Sequence, residues 1–237
     1  MKIVEFFDKV LIINLPERLD RKNETIKEFK RQKWPIENTA FFRAIRPDDS
    51  AGFENPGVKG CFLSHLSAIR EAKKEHKKNV LIMEDDVAFI KDINNKCDDV
   101  LEEISRTKWD FIYFGHEYPI SANSSNKIIK ITEPMRLAHC YAVNGCVFDR
   151  FILFLEELLK RQPGDPLGGP MHYDAAISTF RIQNPDINTY IVNPSLGYQR
   201  SSRTDLHALS YWDKSPLLSP FIAFIRKAKN TAKTISQ

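Results

Sequence analysis

Five short apolar runs constrain this chain more than any other feature: VLIINL (10–15), VLIMEDD (80–86), FIYFG (111–115), YAVNGCVF (141–148) and TYIVNP (189–194). None alternates strictly between apolar and polar residues, and each ends in polar ones. Such runs suit strands buried on both faces, as in a sheet covered by helices. The segments between them carry helical spacing. Residues 20–32 open on Asp20, a capping residue type, with Ile26 and Phe29 spaced for one face. Residues 61–77 place Phe62, Leu66 and Ile69 on one stripe, with Lys73, Lys74, Lys77 and Lys78 toward the end, where cations complement the helix dipole. FILFLEELLKRQ (151–162) and YDAAISTFRI (173–182) read as two more helices. Strands alternating with helices predict an α/β domain with a mostly parallel sheet. Sheets of this kind bind ligands at the carboxyl ends of their strands. QPGDPLGGP (162–170) reads as a loop, mobile over such a site.

The 237 residues suffice for one sizeable core and a small appendage. The net charge is +4, but five basic residues and no acid follow Asp213, so residues 1–213 carry −1. A nucleic-acid binder normally carries a basic stripe on its folded body, which argues against that class. The expected division is therefore a body, 1–213, and a basic tail, 214–237. In the tail, Leu218, Phe221, Ile222 and Ile225 share one helical face, and Arg226, Lys229 and Lys233 share another. An amphipathic basic helix suits an anionic membrane surface; the alternative is a helix docked on the body through Phe221 and Ile225. The first residues do not read as a signal peptide, because Asp8 and Lys9 interrupt the apolar stretch. No segment has the length of a membrane span. A cytoplasmic protein, peripheral on the inner face of the membrane, is the expectation. Cys61, Cys97, Cys140 and Cys146 form no Cys-x-x-Cys pair, which fits reduced thiols and argues against a zinc site built on the cysteines.

The run at 80–86 ends abruptly in Glu84, Asp85 and Asp86. Three adjacent carboxylates at a sheet end repel one another unless a cation neutralises them. Side chains at i and i+2 of a strand point the same way, so Glu84 and Asp86 can face one ion while Asp85 faces elsewhere. Hard oxygen ligands suit Mn²⁺ or Mg²⁺, ions that share their shell with substrate phosphates. The bland reading is a solvated acidic turn. A Walker B strand also ends in acids, but the chain has no G-x-x-x-x-G-K-[ST] loop to accompany one.

Three segments in order resemble glycosyltransferase family 25, which includes lipooligosaccharide and collagen galactosyltransferases. IINLPERLDRK (12–22) is similar to the family's first strand and Asn-Leu turn, GVKGCFLSHLSAI (57–69) to its Gly-x-x-Gly-Cys-x-x-Ser-His signature, and VLIMEDDVAF (80–89) to its Glu-Asp-Asp strand. YAVNGCVFDRF (141–151), HYDAAI (172–177) and GYQRSSRTDL (197–206) resemble later family segments, the last with Thr204 in place of a serine. The resemblance implies a GT-A-like fold, a single nucleotide-binding domain with a mixed central sheet. It implies inverting transfer of a hexose, most often galactose, from a UDP-sugar to a glycan or glycolipid acceptor such as lipooligosaccharide, with a divalent metal as cofactor.

Inverting transfer must neutralise the diphosphate, deprotonate the acceptor hydroxyl and align the two. On the resemblance, Glu84 and Asp86 hold the metal and Asp85 lies near the donor ribose or sugar. His207 either closes the metal shell or is an exposed helix residue. Asp174 is the candidate base; its other reading is a helix cap. Asp110 and Glu117 are reserves. Asn14, Leu15 and Arg18 follow the first strand, where a nucleotide would lie, and Arg21 either reaches phosphate or is exposed. Ser64 and His65 border the donor pocket, or His65 is a core residue anchoring its helix. Gly57 and Gly60 suit a tight turn and close backbone approach. Tyr118 and Tyr198 either stack on an acceptor sugar or belong to the core. Competing readings are a non-catalytic sugar-nucleotide or glycan binder on the same fold, a donor hydrolase, and a membrane-surface scaffold.

Overall fold

A computed structural model describes residues 1–35, 37, 39–120 and 124–200. In chain order these form α1 (Ile3–Phe6), β1 (Val10–Asn14), α2 (Leu19–Gln32), β2 (Thr39–Arg43), α3 (Pro56–Lys74), β3 (Asn79–Glu84), β4 (Val87–Phe89), α4 (Ile93–Arg106), β5 (Phe111–Tyr113), β6 (Ile128–Lys130), β7 (Cys140–Asn144), α5 (Phe148–Lys160), α6 (Tyr173–Gln183), β8 (Thr189–Val192) and β9 (Gly197–Gln199). The tail and His207 lie outside the described residues.

Seven strands form one sheet in the order β2-β1-β3-β7-β5-β8-β6. β1 is parallel to β2 and β3, and β5 is parallel to β8, while β7 and β6 run against their neighbours. Five strands (β2, β1, β3, β5, β8) thus point one way, the mixed and mostly parallel arrangement expected. All five apolar runs contain strands. β1 is buried throughout because Leu11 and Ile13 enter one core and Val10 and Ile12 the other. The first core packs α3, α5 and α6 on one face of the sheet; the second packs α1 and α4 on the other.

Several local expectations need correction. Asp20 does not cap α2: Arg18 occupies that position without a side-chain cap bond, and Asp20 sits in the first turn, paired with Arg18. The helix expected over 61–77 begins at Pro56, where Asn55 Oδ1 accepts from Val58 N at 3.0 Å and proline at the first helical position has no amide to leave unpaired. Gly57 and Gly60 therefore lie inside α3 rather than in a tight turn. Close approach holds at Gly60, where an added Cβ would stand 2.5 Å from the Ile45 carbonyl oxygen. β3 stops at Glu84, and Asp85 and Asp86 form a turn into β4.

β4 pairs antiparallel with β9 in a two-stranded sheet of its own, with Val87 opposite Gln199. This ribbon carries the chain near residue 200 back onto the turn that follows Glu84.

Candidate functional site

The acidic turn sits at the carboxyl end of β3, beside the end of β1. Glu84 N donates to the His139 carbonyl at 2.9 Å, fixing the last residue of the strand. Asp85 turns toward β1 and α2: its Oδ2 accepts from Asn14 Nδ2 at 2.7 Å and its Oδ1 from Arg21 at 2.8 Å. Thr25 donates to the Asp85 carbonyl at 2.9 Å. Gln199 Nε2 lies 3.2 Å from a carboxylate oxygen of both Glu84 and Asp86, and Arg21, which pairs with Asp85, also stands 3.4 Å from Asp86. Arg200 completes the strap, its amide donating to the Asp86 carbonyl at 2.7 Å and its guanidinium to the Asp85 carbonyl at 2.6 Å. Glu84 and Asp86 thus share Gln199, but a turn rather than a continuous strand brings them together, and Asp85 is linked to Asp86 through Arg21.

These carboxylates are not a solvated turn. Asp85 and Asp86 are 5% and 6% exposed. Burial, together with the charge of Glu84, pushes the Asp86 carboxyl up to about 7 against the pull of Arg21, 3.4 Å away. Burial also raises Asp85, opposed by Arg21 and Asn14. For Glu84 burial acts upward, but His65, His139 and Arg21 outweigh it and hold the carboxyl below its ordinary value. Asp86 Oδ1 is buried and has no hydrogen-bond partner among the described residues. An orphaned buried carboxylate oxygen beside a second carboxylate fits a divalent cation, which would complete both oxygens with one ligand.

The remaining candidates divide by position. Asn14 orients Asp85 and also donates to the Arg18 carbonyl at 3.2 Å. Leu15 accepts from Arg18 N at 2.8 Å and lines a cleft of about 390 Å³ with Pro16, Glu17, Arg43, Ala44, Ile45 and Arg46, beyond the ends of β1 and β2. The Arg18 guanidinium is turned onto Asp20 and away from the acidic turn. Ser64 is buried, donating to the Gly60 carbonyl at 2.6 Å and accepting from Ile45 N at 2.8 Å; it pins α3 to the segment that lines the cleft.

His65 is a core histidine that reaches the acidic turn with one ring nitrogen. It is 1% exposed, bonded through Nδ1 to the Tyr141 hydroxyl at 2.9 Å and stacked on Tyr173, while its Nε2 stands 3.4 Å from Glu84 Oε1. Asp174 follows Tyr173 in the first turn of α6, where His172 rather than Asp174 holds the cap position, and it accepts from Leu137 N at 3.0 Å and Ala175 N at 2.8 Å, tying the helix start to the segment before β7. Asp110 is excluded from the site. It lies at the opposite end of the strands, just before β5, buried and accepting from Asn188 N at 2.7 Å and Cys146 Sγ at 3.3 Å. Glu117 is exposed beyond the end of β5. Tyr198 is buried in β9 and Tyr118 packs half-buried against the first core.

Gln199, Arg200 and Thr25 are the residues that reading the sequence did not assign. A three-residue strand carries too little periodicity to reveal that β9 returns to β4, and only the family-like stretch at 197–206 pointed there.

The fold is one shared with sugar-transferring proteins. A glycosyltransferase involved in glycosylation of the major capsid of PBCV-1 superposes with a TM-score of 0.52 at 12% identity, covering 83% of this chain and 93% of that one, a GT-A-like α/β arrangement. A family model described as glycosyltransferase family 25 (LPS biosynthesis protein) matches residues 7–144, and the chain belongs to that family. Procollagen galactosyltransferase 2 of Mus musculus is 22% identical over 244 residues, covering 87% of this chain and 38% of the relative. Procollagen galactosyltransferase 1 of Danio rerio is 22% identical over 245 residues, covering 90% and 41%. A probable inactive glycosyltransferase 25 family member 3 of Bos taurus is 28% identical over 181 residues, covering 66% and 29%. The chain therefore spans well under half the length of these relatives.

Proposed function

We propose that this chain is an inverting hexosyltransferase that moves a sugar, galactose first among the candidates, from a UDP-sugar to a glycan acceptor such as lipooligosaccharide. The observation that carries the reading is the pairing of half-buried Glu84 with buried Asp86 under Gln199, with Asp86 Oδ1 left without a hydrogen-bond partner among the described residues. Mn²⁺ or Mg²⁺ is the cofactor this donor set suits, held by Glu84 and Asp86. When bound, such an ion neutralises charge on the departing diphosphate.

The chain's own residues supply the rest. Asn14 and Arg21 hold Asp85 in one orientation, leaving spare lone pairs on its carboxylate to accept a donor hydroxyl. The cleft behind Leu15, with Arg43 and Arg46 on its wall, offers the nucleotide a place beside the turn. Asp174 is assigned as the base. It reaches the same neighbourhood through Tyr173 and His65, and its two amide contacts leave lone pairs on the carboxylate. His207 stays the proposed third metal ligand. Residues 1–213 make up the transferase domain, and residues 214–237 bring it to an anionic inner membrane surface.

Purified protein with Mn²⁺, UDP-galactose and a lipooligosaccharide acceptor should release UDP only when the acceptor is present, with incorporation lost in Asp174→Asn. Equal release without acceptor would make the protein a donor hydrolase and overturn the transfer reading. A second reading, a non-catalytic sugar-nucleotide binder, is favoured by the similarity to a relative named as probably inactive. It predicts UDP binding with no turnover of any hexose donor.

A further inference from the structure

We propose that Cys61, His65 and Glu84 form a second, softer cation site beside the acidic turn, one that takes Zn²⁺ or another thiophilic divalent ion. It shares Glu84 with the hard-ion site of the proposed function but does not depend on sugar transfer. It also draws on a single cysteine, so the absence of a Cys-x-x-Cys pair does not bear on it.

Cys61 and His65 are four residues apart on α3 and so share a face. Their ligand atoms and a carboxylate oxygen of Glu84 all lie within 4.8 Å of one another. His65 Nε2 and Glu84 Oε1 are 3.4 Å apart. Two ligands about 2.1 Å from a tetrahedral zinc stand about 3.4 Å from each other, so this edge is already formed. Cys61 Sγ needs only a side-chain adjustment to join it.

The hydrogen bonds around His65 add an independent argument. The Tyr141 hydroxyl lies 2.7 Å from the Tyr173 hydroxyl and 2.9 Å from His65 Nδ1, so the ring is held in place from its Nδ1 side. Nε2 is buried, has no hydrogen-bond partner among the described residues, and stands 3.4 Å from the Glu84 carboxylate. With the proton on Nδ1, donated to the tyrosine oxygen, Nε2 is free to share a cation with Glu84. An outer donor contact that fixes the tautomer is also what metal-binding histidines use.

Burial pushes the Cys61 thiol well above its ordinary value, and Glu84, Asp174 and Asp86 add to this, so without metal the sulfur keeps its proton and a bound cation would have to displace it in this region of negative potential. Cys61 is a free cysteine and half-buried, so an ion has a way in. A thiol, an imidazole and a carboxylate together select zinc or cobalt over manganese or magnesium.

The full chain is titrated with Co²⁺ in a metal-free buffer. One equivalent should produce a thiolate-to-cobalt charge-transfer absorbance, which Zn²⁺ displaces. The absorbance should persist in Cys146→Ser and disappear in Cys61→Ser. In the unmodified chain, Zn²⁺ should also slow alkylation of Cys61 at least tenfold, read by peptide mass spectrometry, without protecting Cys146. This second readout holds even if Cys61→Ser fails to fold. Absence of the band, its survival in Cys61→Ser, or an unprotected Cys61 would overturn the proposal. Asp86→Ala separates the two sites. The band should remain while Mn²⁺-dependent UDP binding is lost, and loss of the band in this variant would refute a distinct soft site.

Discussion

Asp86→Asn should make the metal-free protein more stable at pH 8, although it removes a residue central to the proposed activity. Asp86 is buried beside Glu84, and its carboxyl is pushed up to about 7 from an ordinary 3.8. A displacement of about three pH units at about 1.36 kcal/mol each bounds the cost of the ionised form near 4 kcal/mol. The variant also gives up the attraction between Arg21 and Asp86, 3.4 Å apart, which offsets part of the gain. A net gain of about 2 kcal/mol in the variant follows, or about 4–8 °C in melting temperature for a chain of this size. The sign can be checked by pH. A carboxyl raised in the folded state binds its proton more tightly there than in the unfolded chain, so Asp86 lowers stability as pH rises from about 4 to about 7. The wild-type advantage at low pH should therefore shrink across that interval, and the variant should lack this slope. Urea denaturation in EDTA at pH 5 and pH 8 measures both. Millimolar Mn²⁺ should then raise the wild-type midpoint and leave the variant unmoved. If Asp86→Asn is less stable than wild type at pH 8 in EDTA, the burden assigned to the buried pair is wrong.

Three further outcomes follow from the same geometry. Gln199→Leu removes the donor shared by Glu84 and Asp86, and Mn²⁺ affinity should fall about 10–100-fold, measured by calorimetry, as when outer-shell partners of metal ligands are lost. Gly60→Ala should destabilise by about 1–3 kcal/mol in chemical denaturation, because the added Cβ meets the Ile45 carbonyl at 2.5 Å and this outweighs the roughly 1 kcal/mol gain in helix propensity. Cys146 is exposed, yet partial burial of its sulfur and the Asp110 carboxylate push its thiol up to about 11, so at pH 8 it should react with iodoacetamide about a hundredfold more slowly than a peptide cysteine. A reaction rate for Cys146 equal to the peptide's would contradict that contact.

The sequence carried the frame of the sheet well, for a physical reason. Strands covered on both faces must be apolar at every position, and VLIIN and NVLIME leave such a trace. Helix α4 escaped notice although Ile93, Cys97, Val100, Leu101 and Ile104 line one face and Asp92 stands at its cap position, because polar residues dominate its first turns. Asp20 misled as a cap because its carboxylate is taken by Arg18. Within the site, the strand geometry invoked for Glu84 and Asp86 fails because the chain turns at Asp85, but the acidic cluster was legible as three consecutive carboxylates ending an apolar run, and His65 from its motif. The strap of Gln199 and Arg200 was not, because it depends on a three-residue strand meeting another more than a hundred residues earlier. Likewise, nothing local in the sequence separates Asp110, at the opposite end of the strands, from a residue at the site.

The central claim is that Glu84 and Asp86 hold a divalent ion that in turn holds a nucleotide diphosphate. Calorimetric titration of the full chain with UDP, with and without Mn²⁺ and alongside Asp86→Ala, tests it most directly. The account predicts binding that requires Mn²⁺ and disappears in the variant. Folded wild-type protein that fails to bind UDP in either condition, or binds it equally well without metal and in Asp86→Ala, would contradict it.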